Sequence, residues 1–206
     1  MIVNLVVLIA GAVLLMSGRT AQVLVAYIIL AIIASVLVAP LASGSPLALA
    51  LFIAASVLKL ILTPLAIMLF LRANPTADDL RPSINMPMRL LLVVAFAILS
   101  AALARIPSLA GISALPLREV IGYVVLCGIG MLIVHRSLLA HMIGLLALGI
   151  AIALAGVVFA PKLPEFIELG AAFDALLVTF IGLVLVRSIL AHNPLLDVES
   201  LRRLRG

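Results

Sequence analysis

Residues 137–159 read SLLAHMIGLLALGIAIALAGVVF, an apolar run of 23 residues that contains no Asp, Glu, Lys or Arg. A helix needs about 20 apolar residues to cross the hydrocarbon core of a bilayer. A membrane barrel strand would instead alternate apolar and polar residues, and this run does not alternate. The run therefore predicts a membrane-spanning helix and sets the fold class.

The composition of the whole chain agrees with this run. Of its 206 residues, 67% are hydrophobic and only 10% are charged, whereas soluble domains are about 25% charged. We therefore expect an all-α, polytopic integral membrane protein. At roughly 20 residues for each span, the length allows about seven helices in a bundle and leaves no room for a soluble domain.

Seven apolar runs, separated by Gly, Pro and charged residues, predict the individual spans. Glycines inside the fifth and sixth spans, among them Gly128 and Gly144, predict close contacts between helices. The predicted spans run from Met1 to Ser17, Ala21 to Ala39, Pro46 to Phe70, Pro87 to Leu103, Leu117 to Val134, Ser137 to Phe159 and Glu165 to Leu190.

The widest gap between spans, residues 73–86, is rich in turn-forming residues and predicts a cytoplasmic loop. It divides a three-helix part, residues 1–72, from a four-helix part, residues 87–190. The tail that follows, residues 191–206, is too short to form a domain. Two interpretations of the tail stay open, an interfacial anchor or a docking helix capped by Asp197.

Basic residues predict the orientation of the chain, because short cytoplasmic loops are enriched in Lys and Arg. One side of the predicted spans carries nine of these residues, the other side carries three, and Lys59 lies inside the membrane. We expect the richer side to be cytoplasmic, with the N-terminus outside and the C-terminus inside. The nine are Arg19, Arg72, Arg81, Arg89, Arg136, Arg187, Arg202, Arg203 and Arg205; the three are Arg105, Arg118 and Lys162.

The net charge of +5 does not indicate nucleic-acid binding, because the basic residues are scattered among the loops and the chain has no Trp. The single cysteine, Cys127, lies inside an apolar run, which excludes disulfides and cysteine-ligated iron–sulfur centres. No phosphate-binding loop, nucleophile motif or carboxylate pair suited to hydrolysis occurs. We therefore expect no cofactor, no metal and no catalytic residue in this chain.

Lys59 is the one basic residue placed deep inside a predicted span. It lies about 20 Å from the outer end of the third span, which is too deep for its ammonium group to reach the outer interface easily. Ser56 and Thr63 share its helix face, and Pro64 removes a helical hydrogen bond beside it. Lys59 either belongs to a proton or ion path, with Ser56 and Thr63 as secondary candidates, or is a structural cation paired with an acid.

Asp174 is the most deeply placed acid, about 15 Å inside the outer end of the last span when counted from Pro164. A charged side chain at such depth costs roughly 2.5 to 3.5 kcal/mol on insertion scales. Gly170 and Ala171 lie on the same face, so the backbone of another helix can approach closely there. We expect Asp174 to be buried against protein, at a depth similar to that of Lys59.

Two further acids, Glu165 and Glu168, stand near the start of the last span. Glu165 lies in the first turn, where the helix dipole favours a negative charge, so a capping role is expected and a path role is secondary. Glu168 lies one turn deeper and is a candidate for either role. Six residues separate it from Asp174, a rotation of about 240°, so the two acids do not share a face.

His141 begins the sixth span and is the only histidine placed to touch a membrane path. An imidazole at the start of a helix also serves as an interfacial polar anchor, and both interpretations stay open. None of the three histidines has other ligating residues close to it in the sequence, which argues against a metal site.

The chain resembles the hydrogenase-4 component E family over nearly its whole length. These proteins are membrane subunits of group 4 nickel–iron hydrogenase and formate hydrogenlyase type complexes. The last three helices are also similar to the K subunit of bacterial respiratory complex I. The resemblance is carried by Pro164-Glu165 through Glu168-Leu169-Gly170 to Asp174-Ala175, Leu196-Asp197-Val198 through Leu204 to Gly206, Lys59 with Pro64, Arg136-Ser137-Leu138-Leu139 and Ile143-Gly144-Leu145.

This resemblance implies a cofactor-free, non-catalytic subunit of an oxidoreductase complex in a bacterial or archaeal cytoplasmic membrane. Its partners would be large antiporter-like membrane subunits, and separate subunits would hold nickel–iron and iron–sulfur centres. Asp174 and Glu168 would correspond to acids of the final helix. In the sixth span, however, relatives commonly carry a Glu-Asn-Gly step where this chain reads Leu148-Gly149-Ile150-Ala151, and the other membrane glutamate of the complex I subunit falls at Leu146.

Three functions are compatible with these observations. The first is a membrane-arm subunit that contributes Lys59, Glu168 and Asp174 to proton or sodium movement. The second is a scaffold of the same arm that uses these charges as ion pairs only, which the missing acid of the sixth span favours. The third is a small stand-alone transporter, for which we expect an internal repeat and find none.

Overall fold

The computed structural model describes residues 2–40, 46–80, 82–106, 115–159 and 164–192. Within these ranges the chain is helical and forms no β-strand, as expected of an all-α protein. The helices are α1 (Ile2–Met16), α2 (Thr20–Val38), α3 (Pro46–Val57), α4 (Thr63–Ala73), α5 (Met86–Ala104), α6 (Leu115–Val134), α7 (Leu138–Phe159) and α8 (Pro164–His192).

Each predicted span corresponds to a helical segment whose ends lie within three residues of the prediction, and the third span contains both α3 and α4. Six spans are long and apolar enough to cross a membrane, with α3 and α4 forming one of them. The first predicted span is confirmed as a helix, but its 15 residues extend only about 22 Å. These six helices are typical of a multi-pass membrane protein.

A π-helical turn, Leu58–Leu62, joins α3 to α4 in one continuous rod. Pro64 has no backbone N–H to donate to the carbonyl of Leu60, and its ring would crowd that carbonyl in a regular α-helix. The wider turn accommodates the proline, with the Thr63 N–H donating to the carbonyl of Leu58. The predicted disturbance beside Lys59 is therefore a π-helical turn.

Helices α6 and α7 form the centre of the bundle. α6 packs against α1, α5 and α7, while α7 packs against α2, α6 and α8. A Cβ added to Gly128 would lie 3.1 Å from the carbonyl oxygen of Gly144, and the reverse distance is also 3.1 Å. The two backbones therefore nearly touch, which confirms the close contact predicted for these glycines.

The bundle has two outer edges. Helix α5 forms one of them, against α6 and α1, and α8 with the α3–α4 rod forms the other. Helices from both sides of the central loop interleave, because α1 packs on α5 and α6 while the rod packs on α8. The two parts of the chain thus share one core.

The central loop, predicted from its turn residues, folds as a cap over one end of the bundle. It contains a 3₁₀ helix, Pro75–Asp78. The backbone N–H of Leu80 donates to the carbonyl of Gly18, and that of Ser83 donates to the carbonyl of Val134. The loop is thereby tied both to the turn after α1 and to the turn after α6.

Two buried basic side chains cover the carboxyl end of α1 below this cap. Arg89 donates from Nη1 to the carbonyl of Met16 at 2.6 Å, and Nε2 of His135 lies 3.0 Å from the carbonyl oxygen of Ser17. Burial lowers the pKa of His135 below its ordinary value of 6.5, the hydrogen bond to Ser17 opposes this, and the charge of Arg89 reinforces it. The last carbonyls of α1 are satisfied in this way.

Candidate functional site

A buried ion pair links the π-helical turn to α8. The Nζ atom of Lys59 lies 2.6 Å from Oε2 of Glu168, and the two side chains are 2% and 0% exposed. Within the described part of the chain this is the one ion pair with both side chains fully buried. Two charges at this depth require each other, since either alone would stay uncompensated in a medium of low polarity.

The partner of Lys59 is Glu168 and not Asp174, whose depth the sequence matched to that of Lys59. Side chains on a helix lean toward its amino terminus. Both α3 and α8 begin on the same side of the bundle, because four membrane crossings separate their first residues. The long stem of Lys59 therefore reaches toward the amino-terminal end of α3, which brings it to the first turns of α8, where Glu168 lies.

Several polar atoms around the pair have no hydrogen-bond partner among the described residues. They are Oε1 of Glu168, Oγ of Ser56 and Oγ1 of Thr63. Neither hydroxyl is hydrogen-bonded to the ammonium group of Lys59, and the part of Ser56 and Thr63 in a path stays a prediction. Each of these oxygens retains the capacity to accept a hydrogen bond, and Glu168 can also accept a proton at Oε1.

A small cavity lies beside the pair, where α2, the rod, α7 and α8 meet. About 10 Å³ of it is open to the centre of a water molecule, which is room for about one water. Lys59 and Asp174 both line it, so the cavity connects the ion pair with the second acid. The remaining lining residues are Tyr27, Leu146, Gly149, Ile150, Ala171 and Ala175.

Asp174 itself is exposed at the outer edge of this cavity. Its Oδ2 atom lies 3.6 Å from the position that a Cβ on Gly149 would occupy. Gly170, one turn earlier, has open space around it. Asp174 is therefore not buried by the described residues of this chain, and its expected burial against protein stays a prediction that concerns a partner.

His141 is not brought to the ion pair. It lies in the first turns of α7, where its Nδ1 atom is 2.8 Å from the carbonyl oxygen of Ser137. This is the end of the bundle that carries the loop cap and His135. The geometry is that of an interfacial anchor, the alternative role considered for this residue, and its part in a path stays a prediction.

Two other predictions concern residues at the edge of the described structure. Glu165 belongs to the first turn of α8, as expected, but its side chain lies outside the part of the chain that the structure describes. The tail beyond His192, with its predicted anchor or docking helix, also lies outside the described residues.

Part of the segment Leu148-Gly149-Ile150-Ala151 of α7 faces this same site. Gly149 and Ile150 line the cavity, as does Leu146, while Leu148 points away and packs against Gly128. The chain thus places apolar atoms around the middle of the cavity. Of the two acids of α8, Asp174 lines the cavity, and Glu168 contacts Lys59, which also lines it.

Sequence reasoning missed Tyr27, which is fully buried and lines the cavity. Its hydroxyl donates to the carbonyl of Lys59 at 3.5 Å, a long hydrogen bond to the π-helical turn. The available signal was that Tyr27 is one of only two tyrosines in the chain and lies in the middle of a predicted span. A phenol there needs a polar partner.

Among the described residues, no group of three or more His, Cys, Asp and Glu side chains is arranged to hold a metal ion. No protein family, curated protein or solved structure matches this chain when sequences and folds are compared. Function is therefore inferred from the chemistry of the chain's own residues.

Proposed function

We propose that this protein is a membrane-arm subunit of a multi-subunit redox complex, of the hydrogenase-4 component E type that its sequence resembles. Lys59, Glu168 and Asp174 contribute to proton movement, or sodium movement, coupled to electron transfer in partner subunits. The observation that carries this proposal is the buried Lys59–Glu168 pair, separated from Asp174 by a cavity the size of one water.

The arrangement supports a relay of single protons. A proton that binds Oε1 of Glu168 neutralises this carboxylate and removes its attraction for the ammonium of Lys59. Lys59 also lines the cavity, so its Nζ can then pass a proton through one water to Asp174. Glu168 thereby gains a proton, Lys59 loses one and Asp174 gains the proton that Lys59 lost, so the total charge changes only by the proton that entered.

The setting of this subunit follows from the same resemblance. Antiporter-like subunits are its neighbours in a bacterial or archaeal cytoplasmic membrane, and nickel–iron and iron–sulfur centres belong to other subunits. The excess of arginines on the side of the loop cap supports a cytoplasmic position for that side, with the N-terminus outside and the C-terminus inside.

A purely structural role is the second candidate. It is favoured by the close, buried contact between Lys59 and Glu168 and by the apolar lining at Leu146, Gly149 and Ile150. A stand-alone transporter is the third candidate, and a cavity for about one water at the ion pair does not suit a larger substrate.

Exchanging the two charges distinguishes a relay from a scaffold. The double variant Lys59→Glu/Glu168→Lys keeps an ion pair but moves the carboxylate from α8 to the rod. We expect the single variants to impair assembly, because each puts two like charges together. We expect the double variant to restore assembly and electron transfer, while proton translocation in membrane vesicles stays low.

The matched control is Asp174→Asn, which removes one proton-accepting group and leaves the pair intact. A relay predicts an assembled complex with normal electron transfer and reduced translocation. If both the charge-swapped and the Asp174→Asn complexes pump normally, the relay is wrong and the scaffold stands. A chain that purifies alone and transports ions in liposomes would support the third candidate.

A further inference from the structure

Helix α8 presents a continuous outer face to the surroundings of the bundle. Exposed side chains recur on it every three or four residues, as on one side of a helix. We call this stripe the α8 outer face. It consists of Phe166, Gly170, Phe173, Asp174, Leu177, Phe180, Ile181, Val184 and Leu185.

One carboxylate interrupts this otherwise apolar face. Asp174 lies ten residues from Pro164 and eighteen from His192, so it is far from either end of the helix. A charge that faces lipid at that depth is strongly unfavourable. Within the described part of the chain, no side chain donates a hydrogen bond to Asp174, which indicates that a group outside the described residues covers it.

The charge of Asp174 restricts what that group can be. It must offer a cation or strong hydrogen-bond donors at mid-membrane depth. A second copy of this chain is a poor fit, because its basic residue at that depth, Lys59, is buried and already paired with Glu168. The other described basic side chains lie near the helix ends, as Arg89 and Arg187 do.

The shape of the face suits a helix. Gly170 lies one turn before Asp174 with open space above it, so a second backbone can come close at that point. Phe173 and Leu177 stand on either side as apolar knobs, 55% and 59% exposed. We call the open space at Gly170 the notch. A notch, a charge and flanking apolar side chains are together typical of a helix-packing surface in membranes.

We propose that the α8 outer face binds a transmembrane helix of a different membrane protein, and that this helix carries a Lys or Arg at the depth of Asp174. The bound helix covers the outer edge of the cavity and brings a second cation to it. The proposed function supplies the premise that this chain has a membrane partner. The α8 outer face adds where one partner binds and which charge it carries.

The outer face of α5 provides an internal control. Its exposed side chains, such as Leu91, Val94 and Ile98, are all apolar, and lipid covers them at no electrostatic cost. A photoactivatable amino acid is placed at Leu177 or at Ile98 of the full chain in its native membrane. We expect the Leu177 probe to capture an apolar segment with a basic residue near the captured position, and the Ile98 probe to give lipid adducts.

The contribution of the charge is measured in the same experiment. Asp174→Leu should reduce the Leu177 adduct by about tenfold, as expected for loss of an interhelical polar contact. Asp174→Lys should abolish it, and replacing the captured basic residue by Asp should restore it. Asp174→Asn, which keeps an acceptor, should reduce it less than Asp174→Leu does.

Several outcomes would overturn the inference: lipid adducts alone at Leu177, capture of a second copy, capture of residues 193–206 of the same chain, or capture of a helix without a basic residue. An adduct that is unaffected by Asp174→Leu would do the same. None of these experiments measures ion translocation. Normal translocation in the charge-swapped and Asp174→Asn chains would therefore refute the relay and leave this partner surface intact.

Discussion

The two outer edges of the bundle resemble each other in exposure and differ in chemistry. In the most apolar 18-residue stretch of each helix, only 11% of the α5 stretch and 22% of the α8 stretch is buried inside the bundle. The exposed face of α5 is apolar throughout, whereas α8 carries Glu168 on its inner side and Asp174 on its outer side. Exposure alone therefore does not separate the two edges, whereas the position of charge along each helix does.

The α5 edge is held to the bundle by a hydrogen bond near the start of the helix. Arg89, its buried basic side chain, lies near the start of the helix and covers the carboxyl end of α1. The α8 edge is anchored in its first half, through the Lys59–Glu168 pair and the contacts with the rod. The α8 edge thus depends on a buried pair of opposite charges, whereas the α5 edge depends on a buried arginine at one end of its helix.

The largest predicted effect comes from breaking the pair on the α8 edge. Lys59→Met leaves Glu168 buried without a cation, so we expect a loss of about 3 to 5 kcal/mol in the free energy of unfolding. Unfolding of the detergent-solubilised chain by increasing SDS measures this. The double variant Lys59→Met/Glu168→Met removes both charges and should lie close to wild type. Equal losses in the single and double variants would show that packing, rather than charge, holds the edge.

The second prediction transfers the charge of α8 to α5. Ile98→Asp places a carboxylate on the exposed middle of α5, where the side chain is 65% exposed. We expect a cost of roughly 2.5 to 3.5 kcal/mol for membrane insertion of that segment, and a lower yield of inserted chain. Ile98→Leu is the matched control. If Ile98→Asp inserts as well as Ile98→Leu, the acid on α8 no longer requires a partner to explain it.

The third prediction concerns pH at the anchored end of the α5 edge. Because burial lowers the pKa of His135, the folded chain binds fewer protons than the unfolded chain below pH 6.5. Stability should therefore decrease as the pH falls below about 6.5, and level off once the pH passes the lowered pKa. Arg89 and His141 are the charged or titratable groups that act on His135.

Thermal unfolding in detergent at several pH values tests this. His135→Gln removes the titrating group and should flatten this part of the profile, while wild type loses stability on acidification. A wild-type profile as flat as that of His135→Gln would contradict the prediction. Lys59 variants should leave the pH dependence contributed by His135 unchanged.

The smallest effect on the chain alone is expected at Gly170. A Cβ there meets nothing within 4 Å, so Gly170→Ala should change the free energy of unfolding by less than about 1 kcal/mol, and in the stabilising direction. Gly170→Leu should still fold and insert, but it should lower the photo-adduct at Leu177. A stable Gly170→Leu chain with an undiminished adduct would show that the notch is not used by the partner helix.

Local features of the sequence predicted much of the fold. Six spans and the short first helix lie where the apolar runs predicted them, because hydrophobic length is a property of each segment by itself. The disturbance at Pro64 was also predictable, since a proline removes a backbone donor wherever it stands in a helix. Its form, a π-helical turn around Lys59, was not.

The sequence identified the charged residues of the candidate site but not the contacts between them. Lys59, Glu168 and Asp174 were identified because charge in a membrane span is expensive, which requires no knowledge of neighbours. The sequence did not, however, show that Lys59 pairs with Glu168, or that the described helices of this chain leave Asp174 exposed. Tyr27, which touches the site from α2, was overlooked because its partner is a backbone carbonyl on another helix.

The sequence by itself thus determined an all-α membrane protein, its helices and the residues whose charge needs an explanation, because these follow from segment length and residue chemistry. Only the tertiary structure decided that Lys59 pairs with Glu168, 109 residues away, and that Asp174 faces outward. Those outcomes depend on the rotation and stagger of helices around their axes. Packing against neighbouring helices sets both, and no single segment encodes them.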